Sequence, residues 1–136
     1  MDKVNNIRTG RHCVFNLHAH LVFVAKYRRG VFNDEIIADL KVIFAKVCHD
    51  FEAELIECDG EDDHVHLLIN YPPKIALSSL VNSLKGVSSR LLRSNHWTHI
   101  KQYLWGNALW SASYFVSSCG GAPLSIVAEY VKNQRK

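Results

Sequence analysis

Apolar and polar residues alternate along residues 13–25, CVFNLHAHLVFVA. Successive side chains of a strand point to opposite faces, so every second residue shares one face. The pattern predicts one long strand with a single buried face. The residues of that face are Cys13, Phe15, Leu17, Ala19, Leu21, Phe23 and Ala25.

Three segments have apolar residues at the spacing of a helix. The first begins at Asp34, with Asn33 or Asp34 as its N-cap, and runs to Phe51. The second, residues 76–93, presents a row of leucines and valines on one side. The third follows Pro123, a residue type that suits the first turn of a helix. Its apolar stripe consists of Leu124, Val127, Ala128 and Val131.

Three more strands are predicted between and after these helices. Residues 53–59 and 64–70 flank the turn signal GEDD and should form a hairpin, and residues 109–118 should form a last strand. The resulting order, strand, helix, strand, strand, helix, strand, helix, is that of the ferredoxin-like split βαβ fold. We therefore expect an α+β fold in one domain, residues 1–136, with a mostly antiparallel sheet and helices on one face.

The composition is that of an ordinary globular domain, apart from eight histidines in 136 residues. The formal net charge of +3 permits a nucleic-acid partner without requiring one. The four cysteines form no CxxC pair, and the first residues lack the apolar core of a signal peptide. No apolar run approaches the length of a membrane span. We expect a reduced, cytoplasmic protein that has no membrane partner.

Two short motifs combine into a candidate catalytic site. In the strand DHVHLLI, His64 and His66 share one face, which makes half of a metal site. On the last helix, Tyr130 and Gln134 are four residues apart and therefore lie one above the other. The histidines and the amide oxygen can hold a divalent cation, and the phenol can attack a group that the cation polarises.

These motifs and their surroundings resemble a known family. DHVHLLI resembles the histidine–hydrophobic–histidine (HUH) motif, and WSASYFVSSCGGAPLSIVAEYVKNQ resembles the C-terminal signature of the single-tyrosine HUH transposases. HLVFVAKYRRGVF and LVNSLKGVSSRLLR resemble that family's first strand and middle helix. The resemblance covers roughly residues 15–136. These small enzymes move certain bacterial insertion sequences as single-stranded DNA.

The resemblance implies a DNA transposase that acts as a metal-dependent single-strand endonuclease and strand transferase. It assigns His64, His66 and Gln134 as ligands of Mg²⁺ or Mn²⁺, and Tyr130 as the nucleophile that takes a 5′-phosphate. The last helix would then be the catalytic helix. The substrate would be single-stranded DNA with hairpins near the element's ends. The resemblance also implies a homodimer with active sites shared between subunits, in which Gly120–Gly121 would act as the hinge of the catalytic helix.

Basic and aromatic residues are candidates for DNA contacts. Cations neutralise phosphates whatever the base sequence, and aromatic rings stack on unpaired bases. We interpret His18 and His20 of the first strand as a surface pair or a pair that faces DNA. The candidate cations are Lys26, Arg28, Arg29, Lys85, Arg90 and Arg93. The candidate stacking residues are Tyr27, Trp105, Trp110, Tyr114 and Phe115.

Three other functions are compatible with the sequence. A domesticated relative that processes chromosomal palindromes would use the same chemistry. A ferredoxin-like module that binds nucleic acid without catalysis is a second alternative, although the chain has no RNP1-like motif. A metal hydrolase is the third, using His64 and His66 with a cysteine or with an acid such as Asp63. A tyrosine that is dispensable for activity would favour the hydrolase.

Overall fold

The computed structural model of the chain describes residues 7–104, 108–118 and 124–135. Four helices and six strands are found in these residues. The strands are β1 (Arg8–Thr9), β2 (Val14–Phe15), β3 (His18–Val24), β4 (Glu54–Gly60), β5 (His64–Asn70) and β6 (Phe115–Ser118). The helices are α1 (Asp34–Asp50), α2 (Leu77–Asn95), α3 (Trp97–Ile100) and α4 (Leu124–Lys132). Short 3₁₀ turns occupy Lys26–Arg28 and Asn133–Arg135.

The main sheet has the strand order β4-β5-β3-β6, and every neighbouring pair is antiparallel. Two strand–helix–strand units interleaved in this way form the ferredoxin-like arrangement, so the predicted α+β fold is confirmed. Strand β5 lies inside the sheet, with β4 on one side and β3 on the other. Its backbone is therefore held by hydrogen bonds along both edges.

Helices α1 and α2 pack on one face of the sheet and enclose the main core. Phe23 of β3 contacts Phe44 of α1 edge to face, with 6.0 Å between ring centroids. Leu84 of α2 is completely buried in the same core. The Asn33 side chain accepts a 2.8 Å hydrogen bond from the Ile36 amide, which confirms Asn33 as the N-cap of α1.

The prediction that the first strand has only one buried face is wrong. Val22 and Val24 of β3 point away from the main core, yet both are fully buried. They pack against Val131 of α4 in a second, smaller apolar cluster. Helix α4 therefore lies on the opposite face of the sheet from α1 and α2, and its position explains why both faces of β3 read as apolar.

Two predicted strands are shorter than expected. Residues 13–25 change partners midway, because β2 pairs with β1 in a separate two-stranded sheet and only β3 enters the main sheet. Residues 109–118 join the sheet only as β6 and through a bridge between Trp110 and Ala25. The intervening carbonyls of Ser111 and Ser113 bind the Lys85 ammonium instead.

The short helix α3 was not predicted, and the predicted hinge Gly120–Gly121 lies outside the described residues. Within the described part of the chain, none of the helices combines the length and apolarity needed to cross a membrane.

Candidate active site

The two histidines of β5 project on the face that α4 covers. In the β3–β5 ladder, Val24 lies opposite His64 and Val22 lies opposite His66. Directly opposed residues of an antiparallel pair point to the same face. Since both valines pack against Val131, the histidines and α4 share this face, as the site requires. The two imidazole rings are 4.9 Å apart between centroids.

Asp63 fixes the orientation of His64. One carboxylate oxygen is 2.7 Å from His64 Nδ1, and the other accepts a 2.7 Å hydrogen bond from Arg28 Nε. Burial acts to raise the pKa of Asp63, but the hydrogen bonds and charges of Arg28 and His64 outweigh burial and lower it. The group is therefore a carboxylate at neutral pH, and His64 Nδ1 must donate to it. The lone pair of the neutral imidazole is then on Nε2.

His66 is held by His20 of the neighbouring strand. His66 Nδ1 is 3.3 Å from His20 Nε2, and the two rings are stacked. Burial lowers the pKa of His66 to about 4, and the charges of His64 and His20 act in the same direction. Burial also lowers the pKa of His20. Both rings are therefore neutral at pH 7, which is the form that binds metals.

The interpretation of His18 and His20 as a surface or DNA-facing pair is wrong for His18. His18 is only 5% exposed, and its Nε2 lies 3.4 Å from the Asn70 side-chain nitrogen. His20 is half-buried against His66. The alternation of residues 18–24 could have predicted this position, because it places His20 on the same face as Val22 and Val24. That face also carries His64 and His66.

The donor set fits a divalent cation. Asp63 occupies Nδ1 of His64, and His20 lies against Nδ1 of His66, so each ring presents Nε2. A metal-bound histidine characteristically has its second nitrogen held in this way. The described residues contain no cluster of three His, Cys, Asp or Glu side chains that could hold a metal ion. A third protein ligand among them would therefore have to be of another type, such as an amide.

Tyr130 and Gln134 lie together at the end of α4, and serines bind both. The Tyr130 hydroxyl is 2.7 Å from Ser113 Oγ. The Gln134 amide oxygen accepts hydrogen bonds from Ser111 Oγ at 2.8 Å and from Ser113 Oγ at 3.2 Å. Burial raises the pKa of Tyr130, and the hydrogen bond with Ser113 acts in the opposite direction. The phenol is therefore protonated at neutral pH.

Phe115 contacts both the tyrosine and one histidine of this face, His20. The Phe115 ring is 5.7 Å from the Tyr130 ring and 6.5 Å from the His20 ring, centroid to centroid. Neither Tyr130 nor Gln134 forms a hydrogen bond with His64 or His66 in the described structure. The fold thus brings the two motifs to one face of the sheet, with the tyrosine and glutamine bound to serines.

Four of the six candidate DNA-contacting cations bind protein groups. Arg28 binds Asp63, and Arg29 donates a 2.7 Å hydrogen bond to the Tyr103 carbonyl. Lys85 donates to the carbonyls of Ser111 and Ser113, each at 2.8 Å, and burial lowers its pKa to about 8. Arg93 Nε is 3.4 Å from Ser89 Oγ. Lys26 is half-buried and Arg90 is exposed. A role in DNA binding stays a prediction for all six.

The turn that contains Arg28 has an unusual backbone. Tyr27 and Arg28 have φ angles of 60° and 58°, in the left-handed region that favours glycine. Such residues cost about 1–3 kcal/mol each and persist only where surrounding contacts hold them. Here the Arg28 amide donates to the Ala25 carbonyl at 2.7 Å, and the Lys26 amide donates to the Leu109 carbonyl at 2.9 Å.

Comparisons with known proteins agree on one family. Residues 13–134 match the family model described as "Transposase IS200 like". The chain is 31% identical over 128 residues to the ISDra2 transposase TnpA of Deinococcus radiodurans, covering 94% of this chain and 91% of that protein. It is 32% identical over 123 residues to the transposase for insertion sequence element IS200 of Salmonella typhimurium, covering 90% of this chain and 80% of that protein.

Two solved structures are similar to this one. A crystal structure from Deinococcus radiodurans that is described as a transposase superposes with a TM-score of 0.84 at 34% identity, covering 93% of this chain and 97% of that chain. A REP-associated tyrosine transposase bound to a REP hairpin superposes with a TM-score of 0.58 at 14% identity, covering 91% of this chain and 67% of that one. The second likeness is one of fold.

Proposed function

Because the chain belongs to the family of IS200-like transposases, we propose that it cuts and rejoins single-stranded DNA at hairpin-bearing element ends, with the Tyr130 hydroxyl as nucleophile. The observation that carries this proposal is the packing of α4 on the face of the sheet where His64 and His66 project. The hairpin part is supported by likeness in fold to a transposase solved with a REP hairpin.

The metal ligands in this proposal are Nε2 of His64, Nε2 of His66 and the amide oxygen of Gln134. A bound Mg²⁺ or Mn²⁺ would supply Lewis-acid polarisation of the scissile phosphate. Asp63 and His20 hold the two imidazole rings in place, so little reorganisation is needed when the ion binds. Gln134 has to exchange its serine partners for the ion.

Tyr130 then attacks the phosphorus in line with the leaving oxygen. The bond from the phenolic oxygen to phosphorus forms as the bond from phosphorus to the 3′-oxygen breaks. The phenol loses its proton and the departing strand ends in a 3′-OH. The product is a 5′-phosphotyrosine, which conserves the phosphodiester energy, so the 3′-OH of another strand can reverse the attack and join new ends.

The reactive phenol starts from an unfavourable ionisation state. An ordinary tyrosine with a pKa of about 10 is ionised in about one molecule per thousand at pH 7, and burial makes Tyr130 less acidic still. In the structure the phenol is held 2.7 Å from the Ser113 hydroxyl, a contact that it has to exchange for the phosphate before it attacks. Placement of the phenol on a helix removes part of the entropic cost of the attack.

We also place this chemistry in a homodimer. In the structure, Val131 attaches α4 to the sheet of its own chain, which is the cis arrangement. Mixing Tyr130→Phe protein with the His64→Ala/His66→Ala variant under subunit exchange separates the arrangements. Restored cleavage means that a tyrosine works with the partner's histidines, and inactive verified heterodimers mean that each site is built from one chain.

The test of the proposed function is an SDS-resistant adduct between protein and labelled single-stranded hairpin DNA in Mg²⁺ or Mn²⁺. Wild type and Tyr71→Phe should form it, since Tyr71 follows β5 and lies outside the site. Tyr130→Phe should bind the DNA and form none. A perfect duplex of the same sequence should not be cut. Cleavage by Tyr130→Phe would replace the covalent mechanism with hydrolysis.

A further inference from the structure

The turn Lys26–Arg28 presents an aromatic ring beside the candidate active site. Tyr27 is 49% exposed, whereas Trp110 is 6% exposed and packs in the main core. Tyr114 and Phe115 are partly buried and pack against the two apolar clusters. Trp105 lies outside the described residues, and among the other four stacking candidates only Tyr27 is an exposed residue.

Two cations flank this ring. Lys26 Nζ and Arg29 Cζ are each 5.4 Å from the centre of the Tyr27 ring. The described residues supply no carboxylate within ion-pair distance of Lys26. Both cations lie over the ring, so a base that stacks there would take the place of a cation, and a cation displaced from the ring can neutralise a neighbouring phosphate.

The turn is tied directly to the site. Arg28 binds one oxygen of Asp63, and the other oxygen of Asp63 binds His64. The Ala25 amide also donates to the Asp63 carbonyl at 2.9 Å. The turn lies against the Asn133–Arg135 turn that contains Gln134. The Tyr27 ring therefore projects from a turn that contacts both halves of the candidate site.

The backbone conformation of Tyr27 indicates that its side chain has a role other than packing. A glycine at position 27 would relieve the strain of φ 60°, yet the residue is a tyrosine, and its ring is not needed to fill a core. Strained residues of this kind cluster where they hold a functional group in place. Arg28, in the same conformation, is engaged with Asp63 and anchors the turn from the other side.

We propose that Tyr27, with Lys26 and Arg29 beside it, is a stacking subsite for one unpaired nucleobase adjacent to the scissile phosphate. The inference rests on the proposed single-strand activity and adds a subsite to it. It separates roles within the sequence KYRR, because Arg28 positions Asp63, Arg29 also binds the Tyr103 carbonyl, and Lys26 and Tyr27 are left to contact the strand.

Fluorescence anisotropy with labelled single-stranded hairpin DNA in EDTA tests the subsite, since binding is then measured without cleavage. Tyr27→Leu and Tyr27→Gly should weaken binding about 5- to 150-fold, the loss expected for one stacked base. Tyr27→Phe should stay within about twofold of wild type, because it keeps the ring. Trp97→Leu is the matched control, because Trp97 is also 49% exposed but lies on α3.

Abasic sites placed one at a time along the unpaired DNA then identify the base. At one position the loss should equal that of Tyr27→Leu, and wild type and Tyr27→Leu should bind this DNA equally. Tyr27→Gly guards against misfolding, because glycine suits this backbone and its melting temperature should not be lower than that of wild type.

Equal affinity of wild type, Tyr27→Leu and Tyr27→Gly would overturn the subsite and leave the proposed function standing. So would a loss on substitution that persists at every abasic position, since it would show a general change of the turn. A wild type with no affinity for single strands would contradict the proposed function and the subsite together.

Discussion

The histidine half and the tyrosine half of the candidate site are attached to the protein in different ways. His64 and His66 lie on β5, which has a strand on each side, and Asp63 and His20 fix their rings. Tyr130 lies on α4 and Gln134 on the turn that follows it, and their described attachments are one small apolar cluster, serine hydroxyls and the neighbouring Lys26–Arg28 turn. One half is preorganised by the sheet, and we propose that the other half, held by fewer contacts, detaches during the reaction.

This difference matches what the two halves must do in the proposed reaction. A metal site gains affinity when its ligands are fixed before the ion binds. A nucleophile that becomes covalently attached to DNA has to carry that DNA to another strand. Detachment of α4 requires the loss of neutral hydrogen bonds worth about 0.5–1.5 kcal/mol each, together with the contact of Val131 on Val22 and Val24.

The largest expected effect comes from breaking the fixed half. His64→Ala should abolish metal-dependent cleavage. It should also weaken Mn²⁺ binding, measured by calorimetry, by more than the loss of a residue that only hydrogen-bonds a ligand, which costs about 10- to 100-fold. His12→Ala removes an exposed histidine and serves as the control. Undiminished Mn²⁺ affinity in His64→Ala would remove this histidine from the metal site.

The second effect tests what orients the His64 ring in the fixed half. Asp63→Asn removes the charge that orients His64 and binds Arg28, so Mn²⁺ affinity should fall about 10- to 100-fold. The neighbouring exposed residue supplies the control, because Asp62→Asn leaves these contacts intact. If both variants bind Mn²⁺ equally well, the orientation of His64 does not depend on Asp63.

A smaller effect is expected at the metal ligand of the detachable half. Gln134→Ala should slow adduct formation tenfold or less, because water can replace a neutral oxygen ligand. Gln102→Ala, which alters an exposed glutamine that donates to Thr98, should have no effect. The rates of adduct formation are compared in single-turnover reactions with labelled DNA. Complete inactivity of Gln134→Ala would mean that this residue does more than bind the metal.

The smallest effect, of opposite sign, comes from loosening the detachable half. Ser111→Ala/Ser113→Ala frees Tyr130 and Gln134 but keeps the carbonyls that Lys85 holds. Adduct formation should become about 2- to 10-fold faster, the equivalent of about one neutral hydrogen bond. Ser118→Ala at the exposed end of β6 is the control. A slower double variant would show that the serines belong to the reacting arrangement.

The sequence predicted the elements of this molecule better than their contacts. The spacing of apolar residues was sufficient to predict the three longer helices and the strands of the main sheet, because that spacing shows which face of each element is buried. The same alternation placed His64 and His66 on one face. The predicted proximity of Tyr130 and Gln134 is found in their shared contact with Ser113, although α4 ends at Lys132 and Gln134 lies in the following 3₁₀ turn.

The residues that support the site could not be predicted in the same way. The contact of His20 with His66 depends on the register of two strands 46 residues apart in sequence. The contact of Lys85 with Ser111 depends on where α2 crosses the sheet, 26 residues before the serine. Such contacts follow from the packing of the whole fold, which a local pattern does not specify.

The most direct measurement of the central claim is the identity of the amino acid that carries the DNA. The SDS-resistant adduct is digested with protease and nuclease, and the modified peptide is sequenced by mass spectrometry. The account predicts a nucleotide attached through its 5′-phosphate to Tyr130, with no such attachment on Tyr71, Tyr103 or Tyr114. Attachment to any other residue, or cut DNA with no attached peptide, would contradict the account.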